Sequence, residues 1–420
     1  MKLGKYSIGI GDRFGLQGIP LLRAVVLAGE GGVQITPVWN KSNREHVITG
    51  TEPADTRRGA DGAVRALAWR DAYFVDADHI GGSTVDRFVE PCDFFTIDVA
   101  GEIGLPPAPE EVVWFLDAVA PLEGAIRIPG IDEAVVADEP FRRGVAGRYA
   151  RAVREAGRVY RRILSRKGGK EFVAEISLDE SDIPQSPGEL LFILGAIAAE
   201  GIPVQSIAPK FTGAFFKGVD YVGDRGVFLE EFEKNLAVVA FAVRTFHLPE
   251  DLKLSVHTGS DKFSLYPLMH RAIRRFDAGL HLKTAGTTWV EEVIALSEAG
   301  GEGLRAANGI YAGAFKRCDE LCAPYLSVIR INRANLPTPA AAASWTAEEF
   351  ASGLRHDPSH SRFNPDFRQL FHVGYKIAAE MGTEFTGLLR RHAGAVGENV
   401  THNIYRRHIV PLFAGPDGPE

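Results

Sequence analysis

The sequence predicts a TIM-type (β/α)8 barrel with a long insertion and a helical C-terminal extension. Three observations point there. Eight short runs rich in β-branched or aromatic residues occur between residues 6 and 286. Helix-like segments alternate with them, as parallel strands joined by crossovers require. Polar and charged groups collect at the C-terminal ends of several runs, whereas strands buried on both faces are normally apolar throughout. In a barrel that end is the mouth that carries chemistry.

The elements follow in order. YSIGIG (6–11) is the first strand and PLLRAVVLAGE (20–30) its helix. VQITPVW (33–39), AYFVDAD (72–78) and FFTIDVA (94–100) are the second, third and fourth strands. The connection from Gly101 to Glu171 is too long for one helix. It holds PEEVVWFLDAVAP (109–121) and an insertion at about 122–170 that includes the arginine-rich helix GRYARAVREAGRVYRRILSRK (147–167). FVAEIS (172–177), the helix PGELLFILGAIAAEG (187–201) and PVQSIAP (203–209) come next. The segment from Phe211 to Val227 exceeds an ordinary βα loop and is expected to form a lid. LEEFEKNLAVVAFAVRTF (229–246) is helical, and KLSVHTG (253–259) and LHLKTAG (280–286) are the last two strands. Beyond them, Thr288 with Glu291 and Thr346 with Glu349 have the spacing of capping boxes. The pattern is helical from about residue 340. The chain is therefore divided into a barrel domain at 1–339 and a helical extension at 340–420, with a frayed tail after Phe413.

Hydrophobic residues make up 45% and charged residues 24%, an ordinary soluble composition. A formal charge of −7 leaves no basic footprint for nucleic acid and no polybasic membrane anchor. Apolar runs of about 20 residues are absent, so no spanning helix is expected. The first residues do not build a signal-like apolar stretch. The only three cysteines are Cys92, Cys318 and Cys322, too sparse for a disulfide framework. The cytoplasm is the default compartment. The composition leaves room for a homo-oligomer and does not set its size.

Three of the twelve histidines lie at or near strand ends: His79, His257 and His281. Imidazole suits Zn, Mn, Fe, Co or Ni, and positions at barrel strand ends point into one shared mouth. These three are the expected metal ligands, although His281 is equally placed to be a packed barrel histidine. Among carboxylates, Asp76 and Asp78 share one face of the third strand, and Asp98 ends the fourth. Glu175 sits inside FVAEIS, where an unpaired charge is costly. Asp78 and Glu175 are the expected acid/base pair. Lys210, Lys217, Lys262 and Lys283 follow or end the last three strands and suit an anionic substrate, with Ser260, Asp261 and Thr284 beside them. AGTT after Lys283 opens a helix whose free N–H groups favour an anion. GIGDRFG (9–15) imitates a dinucleotide fingerprint, but Phe14 stands where the third glycine belongs. No NAD is expected, and no P-loop, HExxH or GxSxG motif occurs.

FVDADHIG, FFTIDVA, APKFTGAFFKGVDYVGD, LSVHTGSDKFSLYP and HLKTAGTTWVEE together resemble the tagaturonate epimerase family of bacterial uronate catabolism. The resemblance runs through nearly the whole chain. It implies a divalent-metal-dependent enzyme that interconverts D-tagaturonate and D-fructuronate, and related enzymes also epimerise free ketohexoses. The inverted carbon is β to the ketone, so its proton is not acidic. Retro-aldol cleavage, rotation of the aldehyde and re-addition is the expected route, with a Lewis-acid cation at the ketone. Transient oxidation by bound NAD is the less favoured route. The rival readings are a metal-dependent sugar-acid aldolase or ketose isomerase, and a non-catalytic sugar-acid binding protein.

Overall fold

The computed structural model describes residues 2–284 and 286–415. Its strands are β1 (Tyr6–Gly11), β2 (Thr36–Ser42), β3 (Phe74–Ile80), β4 (Phe94–Asp98), β5 (Gly124–Ile126), β6 (Val135–Ala137), β7 (Val173–Ser177), β8 (Ser206–Ala208), β9 (Lys253–His257) and β10 (Leu280–Lys283). All but the antiparallel hairpin β5–β6 form a closed parallel barrel in the order β1-β10-β9-β8-β7-β4-β3-β2. The barrel closes between β1 and β10, with Ser7 opposite His281 and Gly9 opposite Lys283.

The outer layer comprises α1 (Gly18–Glu30), α2 (Asn43–Thr49), α3 (Pro53–Ala66), α4 (Pro109–Ala118), α5 (Glu139–Lys167), α6 (Pro187–Ala199), α7 (Arg225–Phe246), α8 (Tyr266–Arg275) and α9 (Thr287–Glu298). One crossover departs from the regular pattern. Between β3 and β4 the described residues form only a single 3-10 turn, Val85–Arg87. The 29-residue α5 covers that gap. Its Arg162 donates to Gly82 O at 3.0 Å and to Asp86 Oδ1 at 2.8 Å. The arginine-rich stretch thus packs as a barrel helix, and within about 122–170 the β5–β6 hairpin is what stands outside the barrel.

The barrel interior is layered. Leu3, Val38, Phe74, Phe94 and Val173 form an apolar floor separate from the main core. Above it lie Ser7, Thr96, Glu175, Ser206, Ser255 and His281, all fully buried. Buried polar groups cost stability unless they pair: Ser7 Oγ lies 2.8 Å from His281 Nδ1 and Thr96 Oγ1 donates to Glu175 Oε1 at 3.1 Å, whereas Ser206 Oγ and Ser255 Oγ have no partner among the described residues. Gly9 makes room for it, because a Cβ there would meet Lys283 Cγ at 2.9 Å.

Helices from Gly301 to Ala414 wrap one side of the barrel and share its hydrophobic core. Trp289 Nε1 of α9 donates to Phe371 O at 2.7 Å, and Thr401 Oγ1 donates to Pro20 O at 2.9 Å. Thr346 and Glu349 form the expected capping box. Thr288 and Glu291 do not, because α9 starts one residue earlier and both side chains are buried. Glu291 Oε2 instead accepts from Asn399 Nδ2 at 2.8 Å, an inter-helix tie. No described helix is long and apolar enough to cross a membrane. Residues 416–420, in the expected frayed tail, lie outside the described residues.

Candidate active site

The C-terminal mouth of the barrel opens into a cavity of about 550 Å³. Its lining includes Asp78, His79, Asp98, Glu180, His257 and Lys283 together with Arg13, Arg44, Lys217 and Tyr325. The segment expected to be a lid supplies Lys217 to this lining.

In a regular strand Asp78 and His79 would face opposite sides, because side chains alternate. The structure brings both to the mouth. The register between β3 and β4 slips between Ala77 and Ile80, and His79 takes φ +51°, a conformation that costs a non-glycine residue about 1–3 kcal/mol. The irregularity turns the ring toward β9, so that the His79 and His257 rings lie 5.1 Å apart.

A carboxylate between them completes a group. His79 Nε2 lies 3.5 Å and His257 Nδ1 3.1 Å from Asp179 Oδ1. One ligand atom from each of the three residues falls within 4.8 Å of the others. Each imidazole is held from behind by its other nitrogen: His79 Nδ1 by Asp78 Oδ1 at 2.9 Å, and His257 Nε2 by Glu175 Oε1 at 2.9 Å. A carboxylate behind a histidine fixes its tautomer and aims the opposite nitrogen, the usual support of a metal ligand. His257 Nδ1 is close to Asp179 Oδ1 but not aligned for a well-formed hydrogen bond with it. Two nitrogens and one oxygen suit Zn, Mn, Fe, Co or Ni.

His281, expected as the third imidazole ligand, does not join this group. It lies one inward position below Lys283. Its Nδ1 is 2.8 Å from Ser7 Oγ, and its ring packs against Phe94 at 5.3 Å. Burial pushes its pKa down to about 3, so the ring is neutral. Asp179, the third member of this group, was not among the residues expected from the sequence. It stands four residues after Glu175 in LDESD, a stretch that reads as an ordinary polar turn.

Lys283 organises the floor of the site. Its ammonium lies 2.8 Å from Asp76 Oδ2, 2.9 Å from Asp78 Oδ1 and 3.1 Å from Glu175 Oε1. One cation cannot neutralise three carboxylates. Burial, with Asp78 and Glu175 nearby, raises the Asp76 pKa despite Lys283. Burial acts the same way on Asp78, but Lys283 and His79 outweigh it and hold Asp78 below its ordinary range. Glu175 is likewise held low by Lys283 and His257 against its burial. Burial would lower the His79 and His257 pKa values, yet the facing carboxylates raise His79 well above its usual value and His257 to about 9.

Glu175, expected as an acid/base, is 0% exposed and does not line the cavity. Its Oε1 lies 2.9 Å from His257 Nε2 and 3.1 Å from Lys283 Nζ. Asp98 does line the cavity, and burial raises its pKa. Among the expected substrate contacts, Lys217 and Lys283 reach the cavity. Lys210 does not; its backbone N–H donates to Gln185 Oε1 at 2.8 Å. Ser260 and Lys262 are buried behind the wall: Lys262 Nζ donates to Phe216 O at 3.1 Å, and Ser260 Oγ accepts from Gly218 N at 2.8 Å. Asp261 points away into the extension, where Arg368 Nη2 donates at 2.6 Å, Thr287 Oγ1 at 2.8 Å, and His356 Nδ1 lies at 3.1 Å. Thr284 is buried, with Oγ1 3.5 Å from Thr287 Oγ1. Ala285 of the expected anion-binding turn lies outside the described residues.

The model of the tagaturonate epimerase family matches residues 131–400, well over half the chain. The chain belongs to the tagaturonate epimerase family. A tagaturonate/fructuronate epimerase of Thermotoga maritima is similar at 29% identity over 303 residues, spanning 69% of this chain and 59% of that protein. The chain thus matches less than two thirds of that relative's length. Crystal structures of the fructuronate-tagaturonate epimerase of Cohnella laeviribosi share the fold. The native form and a glycerol complex each superpose with TM-score 0.80 at 24% identity, covering 99% of this chain and 82% of theirs. The family match includes β7, β9 and β10, and with them Asp179 and His257. His79 lies N-terminal to the matched residues.

Proposed function

We propose that this member of the family is a divalent-metal-dependent epimerase interconverting D-tagaturonate and D-fructuronate. The supporting observation is the convergence of His79 Nε2, His257 Nδ1 and Asp179 Oδ1, with Asp78 and Glu175 seated behind the two imidazoles. These three atoms would hold the cation. When bound, it supplies Lewis-acid polarisation of the substrate ketone.

The remaining steps fall to the chain's own groups. The substrate's inverted carbon bears a hydroxyl and stands β to the ketone, so inversion proceeds by retro-aldol cleavage. A carboxylate takes the hydroxyl proton, and that O–H electron pair becomes the aldehyde C=O. The C–C bond breaks, and its pair passes into the ketone-bearing fragment. The aldehyde turns over, the C–C bond reforms on its other face, and the proton returns to the new alkoxide. Asp78, ionised and facing the cavity, is the proton acceptor. Asp98, held toward its protonated form by burial, serves the opposite face. Lys283 keeps Asp78 ionised and in place. Glu175 fixes the ring of His257. Enclosure keeps the two fragments at high effective concentration, so recombination outruns escape. Free ketohexoses carry the same ketone and hydroxyl pattern and would be slower substrates.

The test is NMR analysis of D-fructuronate incubated with the enzyme. Appearance of D-tagaturonate without three-carbon products supports the proposal, provided chelation abolishes it and added Mn²⁺, Ni²⁺ or Zn²⁺ restores it. Accumulating three-carbon fragments would instead indicate an aldolase. Undiminished turnover after metal stripping would remove the cation from the mechanism.

A further inference from the structure

The cavity lining combines carboxylates and imidazoles with cationic side chains. Among the latter, Arg44 and Lys217 both lie over the ring of Tyr325. The Arg44 guanidinium carbon is 5.0 Å and Lys217 Nζ 5.9 Å from the ring centroid. Among the described residues, neither has an acidic partner, whereas Arg13 beside them is neutralised by Glu45 at 2.8 Å. Arg44 donates only to Pro324 O, at 3.3 Å.

The backbone around Lys217 is fastened on every side. Lys217 N–H donates to Val328 O at 2.8 Å. Phe216 O accepts from the buried Lys262, Gly218 N–H donates to the buried Ser260, and Gly218 O accepts from the buried Arg368 Nε at 2.7 Å. Gly259, at φ +63°, lies against the ammonium: a Cβ there would be in ordinary contact with Lys217 Nζ at 3.6 Å. Gly259 is two residues beyond His257. The ammonium is thereby held in the same cavity as His79 and His257. Fixing a solvated lysine through three buried polar residues has no evident purpose for stability, since surface charges contribute little. It does set where an anion sits.

We infer that Lys217 and Arg44 are specificity-determining residues that take the carboxylate of a keto-uronate. This rests on the proposed epimerase reading and names the substrate end that each set of side chains receives. The ketone end lies against His79, His257 and Asp179, and the carboxylate against Lys217 and Arg44. In a retro-aldol cleavage the carboxylate travels with the aldehyde fragment. A single ionic anchor holds that fragment while leaving it free to turn about the anchor. The fragment must do so to present its other face.

The experiment compares Lys217→Met, Arg44→Met and Lys217→Arg with the parent enzyme on a keto-uronate and on the matching ketohexose, in which a hydroxymethyl group replaces the carboxylate. Loss of one charge-assisted contact lowers kcat/KM on the uronate by on the order of 10- to 100-fold. Activity on the ketohexose stays within about twofold of the parent, a change worth under about 0.5 kcal/mol. Lys217→Arg retains most uronate activity. Equal losses on both substrates, or undiminished uronate activity in both methionine variants, would overturn the inference. A parent enzyme that epimerises neither substrate would instead remove the epimerase reading itself.

Discussion

Replacing Lys283 by methionine tests how the floor of the site is held together. The ammonium lies within about 3.1 Å of oxygens of Asp76, Asp78 and Glu175, and Thr96 Oγ1 accepts a further bond. Methionine fills similar space but leaves the carboxylates facing one another. Burial already raises the Asp76 pKa toward protonation, and His79 and His257 still oppose Asp78 and Glu175. The loss is therefore that of one broken buried pair, about 3–5 kcal/mol, rather than three times that. Unfolding entropy of about 2.1 cal/mol/K per residue over 420 residues makes roughly 0.9 kcal/mol/K. The melting temperature should fall by about 3–6 °C. Differential scanning calorimetry in EDTA reads this without a bound cation masking it. Adding Glu175→Gln to Lys283→Met should recover part of the loss, because one fewer charge is left unpaired. An unchanged melting temperature, or a double variant that is simply worse by the sum of its parts, would refute the reasoning.

Other expectations follow from the same contacts. Glu175→Gln weakens the support of His257 Nε2, so divalent-cation affinity by isothermal titration should fall by about 10- to 100-fold. Asp179→Asn should abolish cation binding and turnover while leaving substrate-analogue binding through Lys217 and Arg44 measurable. Asp261 is buried, which opposes ionisation, but Arg368, His356 and His408 hold its pKa well below the ordinary value. A carboxyl with a depressed folded pKa contributes its stability above the unfolded value of about 3.9 and loses it as pH falls toward the folded value. Asp261→Asn should therefore be less stable than the parent near neutrality, and its stability should fall less steeply below about pH 4 in urea titrations across pH.

Every barrel strand was legible in the sequence because each couples an apolar run to a polar end. Boundaries drifted by two or three residues where a helix-to-strand turn continued the same composition: Val33 reads as strand, but β2 begins at Thr36. The missing helix between β3 and β4 was not legible, because its place is taken by α5 from a later connection. The cation group was legible in two of its three residues. His257 follows directly from strand alternation, and His79 was found as a strand-end residue whose inward turn depends on a backbone irregularity no pattern encodes. Asp179 was hidden because it lies past the strand end, where a carboxylate carries no periodic signal. His281 and Lys283 share a face and were read together, yet one inward step in depth separates a packed imidazole from a site lysine. Asp261 and Lys262 were misplaced for a related reason. Their partners Arg368, His356 and Gly218 are distant in sequence, so charge at a strand end read as exposed when it is an internal tie to the extension.

The central claim is that His79, His257 and Asp179 hold one divalent cation at the barrel mouth. Anomalous scattering from crystals grown with Mn²⁺ or Zn²⁺ tests it most directly. The account predicts one strong peak within about 2.0–2.3 Å of His79 Nε2, His257 Nδ1 and Asp179 Oδ1. A peak bound through His281 instead, or an active enzyme with no peak at the mouth, would contradict it.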